Sequence, residues 1–216
     1  MTTSTAKVNM IKQQIHILGN LDPTITDVLL KVSREEFVPE TMKAFAYTDM
    51  EVSLGYGEKM FTPRVEAQIL NAIKAQKSDN VLEIGTGSGY FTALLAMLTD
   101  SVTTVDIHED FVKKAKYRLK ALNIYNVKYH HGNAAQGWEP TKKYDLIVIN
   151  GALPLLPENF KKQLTENGRL FCILGTGDTM EGILIKKEKD QWTQKSLFDT
   201  SVVPLKEAVQ PEKFVF

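Results

Sequence analysis

A chain of 216 residues, 43% hydrophobic and 24% charged, has the size and composition of one globular domain with a full core, and its longest apolar run, around Phe91 to Leu98, is far too short to cross a bilayer. Acidic and basic residues balance at 26 each, which leaves no net field to gather nucleic acid or an anionic membrane. The single cysteine, Cys172, sits in an apolar run and excludes an internal disulfide. The short polar start from Met1 to Thr5 is unlike a secretory signal, so a cytoplasmic location is expected.

In chain order, Val8, Ile11, Ile15 and Leu18 fall near helical spacing, predicting an amphipathic helix over Ala6 to Leu18 that stops at Gly19-Asn20. Asp22-Pro23 opens a second helix with Ile25, Val28, Leu29 and Val32 on one face, ended at Pro39. From Met42 to Thr62 periodicity is poor, and Tyr47, Gly55, Tyr56 and Gly57 predict a shaped loop of the kind that carries ligand contacts. A third helix is predicted over Pro63 to Ala75. Strands then follow near Asn80 to Ile84, Val102 to Asp106, Val127 to His130, Leu146 to Asn150 and Arg169 to Leu174. Helices separate them near Tyr90 to Leu98, Glu109 to Leu122 and Glu158 to Leu164. This alternation predicts an α/β fold: a doubly wound, mostly parallel sheet with amino-terminal helices. Gly182 to Lys187 and Trp192 to Phe198, joined at Lys189-Asp190, predict a carboxy-terminal β-hairpin.

The richest stretch is Val81-Leu82-Glu83-Ile84-Gly85-Thr86-Gly87-Ser88-Gly89-Tyr90, an apolar strand running into a turn with glycine at every second position and then a helix. Glycine lets the backbone turn sharply and lie against a ligand, and helix N–H groups opened by Ser88 to Phe91 are available to an anionic group. A dinucleotide fingerprint reads G-x-G-x-x-G; this one reads G-x-G-x-G with Glu83 two residues before it, and looks like the S-adenosylmethionine methyltransferases.

In such a sheet ligands bind beyond the carboxyl ends of the strands, which here are Gly85, Thr86, Gly87, Ser88 and Gly89, then Asp106 and Ile107, then Asn133 and Ala134, then Asn150. Asp106 is expected to hold a ribose hydroxyl pair or to cap the helix from Glu109, and Asn133 to hold the adenine edge or form a plain turn. Glu83 is expected to brace the glycine loop through its amides, to touch the ligand, or to be a strand-end acid that only caps backbone. His130 and His131, adjacent in a strand, point to opposite faces and lack partners at ligand spacing, so no metal is expected. His16 and His108 are expected to be unpaired surface residues.

Further motifs narrow the reading. Arg34-Glu35-Glu36-Phe37-Val38-Pro39, Ala46-Tyr47-Thr48-Asp49, Gly55-Tyr56-Gly57, Pro63, the glycine motif, Tyr144 to Val148, Pro157 to Leu164 and Val203-Pro204-Leu205 resemble, in order and spacing, the protein-L-isoaspartate O-methyltransferases. The resemblance covers nearly the whole chain. It implies a Rossmann-like methyltransferase fold in one domain, 1–216, with 1–62 as helical preface and substrate loop and 63–216 as cofactor-binding core. It also implies S-adenosylmethionine as cofactor, S-adenosylhomocysteine as product, and methyl transfer to the α-carboxylate of an isoaspartyl residue in a damaged peptide or protein. Where the family typically reads Gly-x-Gly-Gln-Thr-Ile-Ser-x-Pro, this chain has Phe61 at the position of a hydroxyl residue beside the acceptor, with Thr62 and Arg64 as replacements for the lost polar group; Asn133 stands where Asp is usual. A transferase of the same fold with another acceptor and a cofactor-binding homologue without activity remain as alternatives. A nicotinamide oxidoreductase is disfavoured by the glycine spacing, no nucleic-acid or membrane partner is expected, and the oligomeric state is left open.

Overall fold

The computed structural model describes residues 3–19, 21–189 and 191–210; Asn20 and Asp190, which the sequence places in turns, lie outside them. In place of one amino-terminal helix there are three short helical pieces: α1 (Thr3–Met10), a π turn over Ile11–Ile15 and a 3-10 turn over His16–Leu18. Ile11 and Ile15 are buried nonetheless. In α2 (Pro23–Lys31) the Asp22 carboxylate accepts the Thr24 N–H at 2.9 Å, and Pro23 occupies the first turn, where a missing N–H costs nothing.

Past 3-10 turns at Arg34–Glu36 and Glu40–Phe45, the predicted loop contains an antiparallel hairpin, β1 (Val52–Gly55) and β2 (Glu58–Met60). Its turn residues Tyr56 and Gly57 both have positive φ, 56° and 82°, the hand that suits a tight hairpin. Strands of three or four residues offer too few positions for alternation to register in the sequence.

The remaining elements are α3 (Pro63–Ile73), β3 (Asn80–Ile84), α4 (Tyr90–Leu98), β4 (Ser101–Asp106), α5 (Glu109–Ala121), β5 (Val127–His131), β6 (Tyr144–Leu153), α6 (Glu158–Lys162), β7 (Leu164–Thr176), β8 (Thr179–Glu188) and β9 (Gln191–Thr200). α6 stops short of its predicted end because Leu164 pairs with Tyr144 as the first residue of β7 and is buried there. The seven strands run in the order β5-β4-β3-β6-β7-β8-β9, parallel from β5 through β7 and antiparallel at β8 and β9. This is the mixed, mostly parallel sheet that the alternation predicts.

Alternate residues along the central strands feed two cores. Val81, Leu146, Val148 and Phe171 pack with α2, α3 and α4, while Leu82, Ile84, Ile147, Ile149 and Cys172 pack with Tyr144 and Phe160. Strand order reverses at β3, with β4 on one side and β6 on the other, which opens a crevice at their carboxyl ends.

Candidate functional site

The floor of the crevice is the glycine turn. Gly85 leaves β3 at φ +92°, a backbone angle that favours glycine, and a Cβ there would press on the Asn150 Cβ at 3.3 Å. The turn uses its own amides: Gly85 N–H donates to Val105 O at 2.8 Å, Gly89 N–H to Thr86 O at 2.9 Å, Gly87 N–H to Asp106 Oδ2 at 2.9 Å and Tyr90 N–H to Ser88 Oγ at 3.2 Å. Of the N–H groups expected to face an anion, those of Gly89 and Tyr90 are thus bonded within the turn itself; what the glycines give a ligand is close approach to backbone. Ser88 contributes from behind, its carbonyl accepting Arg118 Nη1 at 2.9 Å.

Asp106, at the tip of β4, is only 6% exposed and lines the crevice. Its Oδ2 holds Gly87 and its Oδ1 accepts the His108 N–H at 2.8 Å. Burial pushes its carboxyl up, and the N–H groups of Gly87 and His108 pull it back. A carboxylate has about four lone-pair sites, so acceptor capacity remains after those two bonds. Ile107, Asn133, Ala134 and Asn150 line the same space. Asn133 Oδ1 accepts the Ala135 N–H at 2.9 Å in a local turn, and the residue also lines the crevice.

Glu83 is fully buried, and its hydrogen bonds among the described residues go to side chains and not to the loop amides. Its Oε2 accepts Thr92 Oγ1 at 2.6 Å and Thr104 Oγ1 at 2.7 Å, and its Oε1 accepts Asn150 Nδ2 at 2.9 Å. Thr104 in turn meets Thr86 Oγ1 at 2.7 Å, and Asn150 Nδ2 also reaches Gly85 O at 3.1 Å. Glu83 thus sets the orientation of two residues that face the crevice. Burial pushes its carboxyl from 4.5 up to about 7, against the pull of Thr92, Thr104 and Asn150. Between those values the folded state binds a proton that the unfolded chain has released, so this group's contribution is complete below pH 4.5 and is lost as pH rises through about 7. Glu83→Gln is expected to remove a loss of roughly 1 kcal/mol per pH unit over that window. Urea midpoints of both proteins across it provide the check, and a constant difference would show Glu83 ionised throughout.

Above the floor, Phe61 lines the crevice. Thr62 and Arg64 do not replace a lost hydroxyl there. Thr62 caps α3, its Oγ1 accepting the Val65 N–H at 3.4 Å, and Arg64 is turned outward to Asp49 at 3.6 Å with 46% of its side chain exposed. Geometry, not residue type, redirects them: the first helical turn claims the threonine and the helix start points the arginine away.

Several participants are invisible in the sequence. His108, expected to be unpaired, stacks on Tyr56 of the hairpin turn with ring centroids 4.3 Å apart and 12° between planes. Tyr56 Oη donates to Asp110 at 3.0 Å, and Lys206 Nζ donates to Tyr56 O at 3.0 Å. Glu58 lies 3.6 Å from His108 and 3.5 Å from Lys206. The hairpin is in this way drawn across the crevice to α5 and to the segment after β9. That segment pairs with β6 through Ala152 N–H to Val203 O at 3.1 Å and Leu205 N–H to Ala152 O at 2.8 Å. The Val-Pro-Leu motif and the glycine loop are legible; the pairs closing the gap span 50 residues of chain or more.

With this geometry in view, residues 5–210 match the family model for protein-L-isoaspartate(D-aspartate) O-methyltransferase. The chain is 35% identical over 198 residues to protein-L-isoaspartate O-methyltransferase 1 of Rhodopseudomonas palustris (strain HaA2), covering 91% of this chain and 81% of that one. It is 34% identical over 195 residues to the protein-L-isoaspartate O-methyltransferase of Picosynechococcus sp., covering 90% and 88%. In fold it matches a Plasmodium falciparum protein assigned as a protein-L-isoaspartate O-methyltransferase and solved in complex with S-adenosyl-L-homocysteine. That match has a TM-score of 0.80 and 23% identity over 95% of this chain and 98% of the other.

Proposed function

The chain belongs to the protein-L-isoaspartate(D-aspartate) O-methyltransferase family, and from that premise we propose how its residues serve the reaction. It is an S-adenosylmethionine-dependent methyltransferase. The observation that carries the assignment of the crevice is Asn150 Oδ1, a buried acceptor with no partner among the described residues, placed beside the Gly85 turn. A buried oxygen left unpaired costs free energy, and the ammonium of the cofactor's methionyl part is a donor that would satisfy it. Asp106 would accept the ribose hydroxyls with its remaining lone pairs, and Asn133 and Ala134 would border the adenine. Gly85, Thr86, Gly87, Ser88, Gly89 and Ile107 would form the surface under the cofactor.

When bound, S-adenosylmethionine supplies a methyl group activated by the positive charge on sulfur. The acceptor we propose is the α-carboxylate of an isoaspartyl residue in a peptide or protein. Such a carboxylate is already a nucleophile, so the protein's work is alignment and exclusion of water. The hairpin roof held by Tyr56, His108 and Lys206 supports the second of these. In this reading residues 1–62 supply the preface and acceptor loop, and 63–216 the cofactor-binding core, of one domain.

Phe61 favours a second reading, a different acceptor, because it lines the crevice where the family carries a hydroxyl and neither Thr62 nor Arg64 makes up the loss. Labelled methyl transfer to an isoaspartyl peptide and to its aspartyl twin separates the two. Transfer to the isoaspartyl peptide alone is expected, and Phe61→Ser is expected to raise it about tenfold by restoring one hydrogen-bond donor. No transfer by the wild type together with a gain in Phe61→Ser would establish the different acceptor. Equal rates in both proteins would remove the Phe61 side chain from the acceptor site.

A further inference from the structure

Arg34, in the 3-10 turn that follows α2, is 0% exposed. Its two terminal nitrogens diverge. Nη1 donates to the Glu66 carboxylate in the first turn of α3, and Nη2 donates to the carbonyl oxygen of Phe61 at 2.5 Å. The guanidinium also lies over the ring of Tyr90, the first residue of α4, 5.3 Å from its centroid. Phe37, three residues on, packs its ring edge-on to Tyr90 at 5.4 Å, and Arg118, which holds the Ser88 carbonyl, lies over Phe37. One cation therefore touches the acceptor loop, the helix that follows it and the helix that leaves the glycine turn.

We infer that Arg34, held by Glu66, is a positioning residue that fixes Phe61 and its loop relative to the cofactor turn, an inference that rests on assigning this crevice to methyl transfer. Stability is a poor explanation for the pair. Two charges withdrawn from water are costly, and a well-packed apolar pair of similar volume is often as stable or more so. Arg34 Nε is buried without a partner among the described residues, a further cost that the arrangement tolerates. What the planar fork provides is direction: bonds to two partners at a fixed angle, which the compact ammonium of lysine does not reproduce. Glu66, 2% exposed, lines the crevice beside Phe61. Burial pushes its carboxyl up to about 7 while Arg34 pulls it down, so each partner depends on the other.

The test is the double variant Arg34→Met/Glu66→Leu, which removes both charges and leaves neither stranded. Its urea midpoint and its calorimetric Kd for S-adenosylhomocysteine are expected to stay close to wild type. Amide exchange over residues 58–62 is expected to quicken about tenfold or more as the loop loses its tether. With isoaspartyl peptide, kcat is expected to fall about 10- to 100-fold while KM for S-adenosylmethionine holds. Unchanged exchange overturns the inference, and so does faster exchange with an unchanged kcat. Should the double variant fail to fold, Arg34→Lys keeps the charge but not the fork; the same pattern is expected, and wild-type exchange and kcat overturn the inference. If the wild type itself transfers no methyl to the peptide, the acceptor assignment fails, and exchange alone decides whether Arg34 tethers the loop.

Discussion

Asp106→Ala is expected to weaken S-adenosylhomocysteine binding about 100-fold by calorimetry, the ~3 kcal/mol at the upper end for charge-assisted hydrogen bonds lost from a buried site. Two losses combine. The acceptor proposed for the ribose hydroxyls disappears, and the Gly87 and His108 amides, held at 2.9 and 2.8 Å, lose their partner. The second loss reaches beyond the ligand: Gly87 is the middle glycine of the turn, and His108 carries the ring on which the hairpin roof stacks. Asp106→Asn separates the contributions, since its single carbonyl oxygen can satisfy only one of the two roles well. It is expected to fall between wild type and alanine in affinity, with a smaller loss in urea midpoint. A dissociation constant unchanged in Asp106→Ala would take the residue out of the cofactor site and with it the orientation proposed for the ligand.

The parts of this molecule that were legible in the sequence are those decided locally. The β3 strand, the glycine turn and α4 are written in adjacent residues, and α4 runs from Tyr90 to Leu98 as predicted. Family motifs extended that reading to a chemistry. Roles decided by distant partners were not legible. Glu83 announces a carboxylate at a strand end, but its partners Thr92, Thr104 and Asn150 come from three other elements. His108 has Asp106 and Phe111 as neighbours in sequence, but its ring meets Tyr56 and Lys206 only in the fold. Thr62 and Arg64 have the right chemistry in the right place along the chain, yet the start of α3 turns both to other tasks. Arg34 belongs to the legible class as a motif residue and to the illegible one as a contact, because Glu66 and the Phe61 carbonyl lie about 30 residues away.

Gly89→Ala is expected to cost about 2–4 kcal/mol of stability, the sum of a left-handed backbone imposed on a residue with a Cβ and of overpacking. At φ +84°, an added Cβ would lie 2.7 Å from the Ala115 Cβ and 3.0 Å from its Cα, with Leu119 Cδ1 at 3.3 Å. Two of those three atoms leave little room to yield, since Ala115 is wholly buried in α5 and has no flexible side chain. Gly57→Ala is the control: its φ of +82° is nearly the same, but nothing among the described residues lies within 4 Å of the added carbon. That variant is expected to lose only the backbone part, about 1–2 kcal/mol. The difference between the two urea midpoints then measures how closely α5 is seated against the glycine turn. Because α5 begins just beyond Asp106 and His108, displacing it at Ala115 should also weaken S-adenosylhomocysteine, in Gly89→Ala and not in Gly57→Ala. Equal losses of stability in the two variants would mean that the backbone angle accounts for everything and that α5 does not press on the turn.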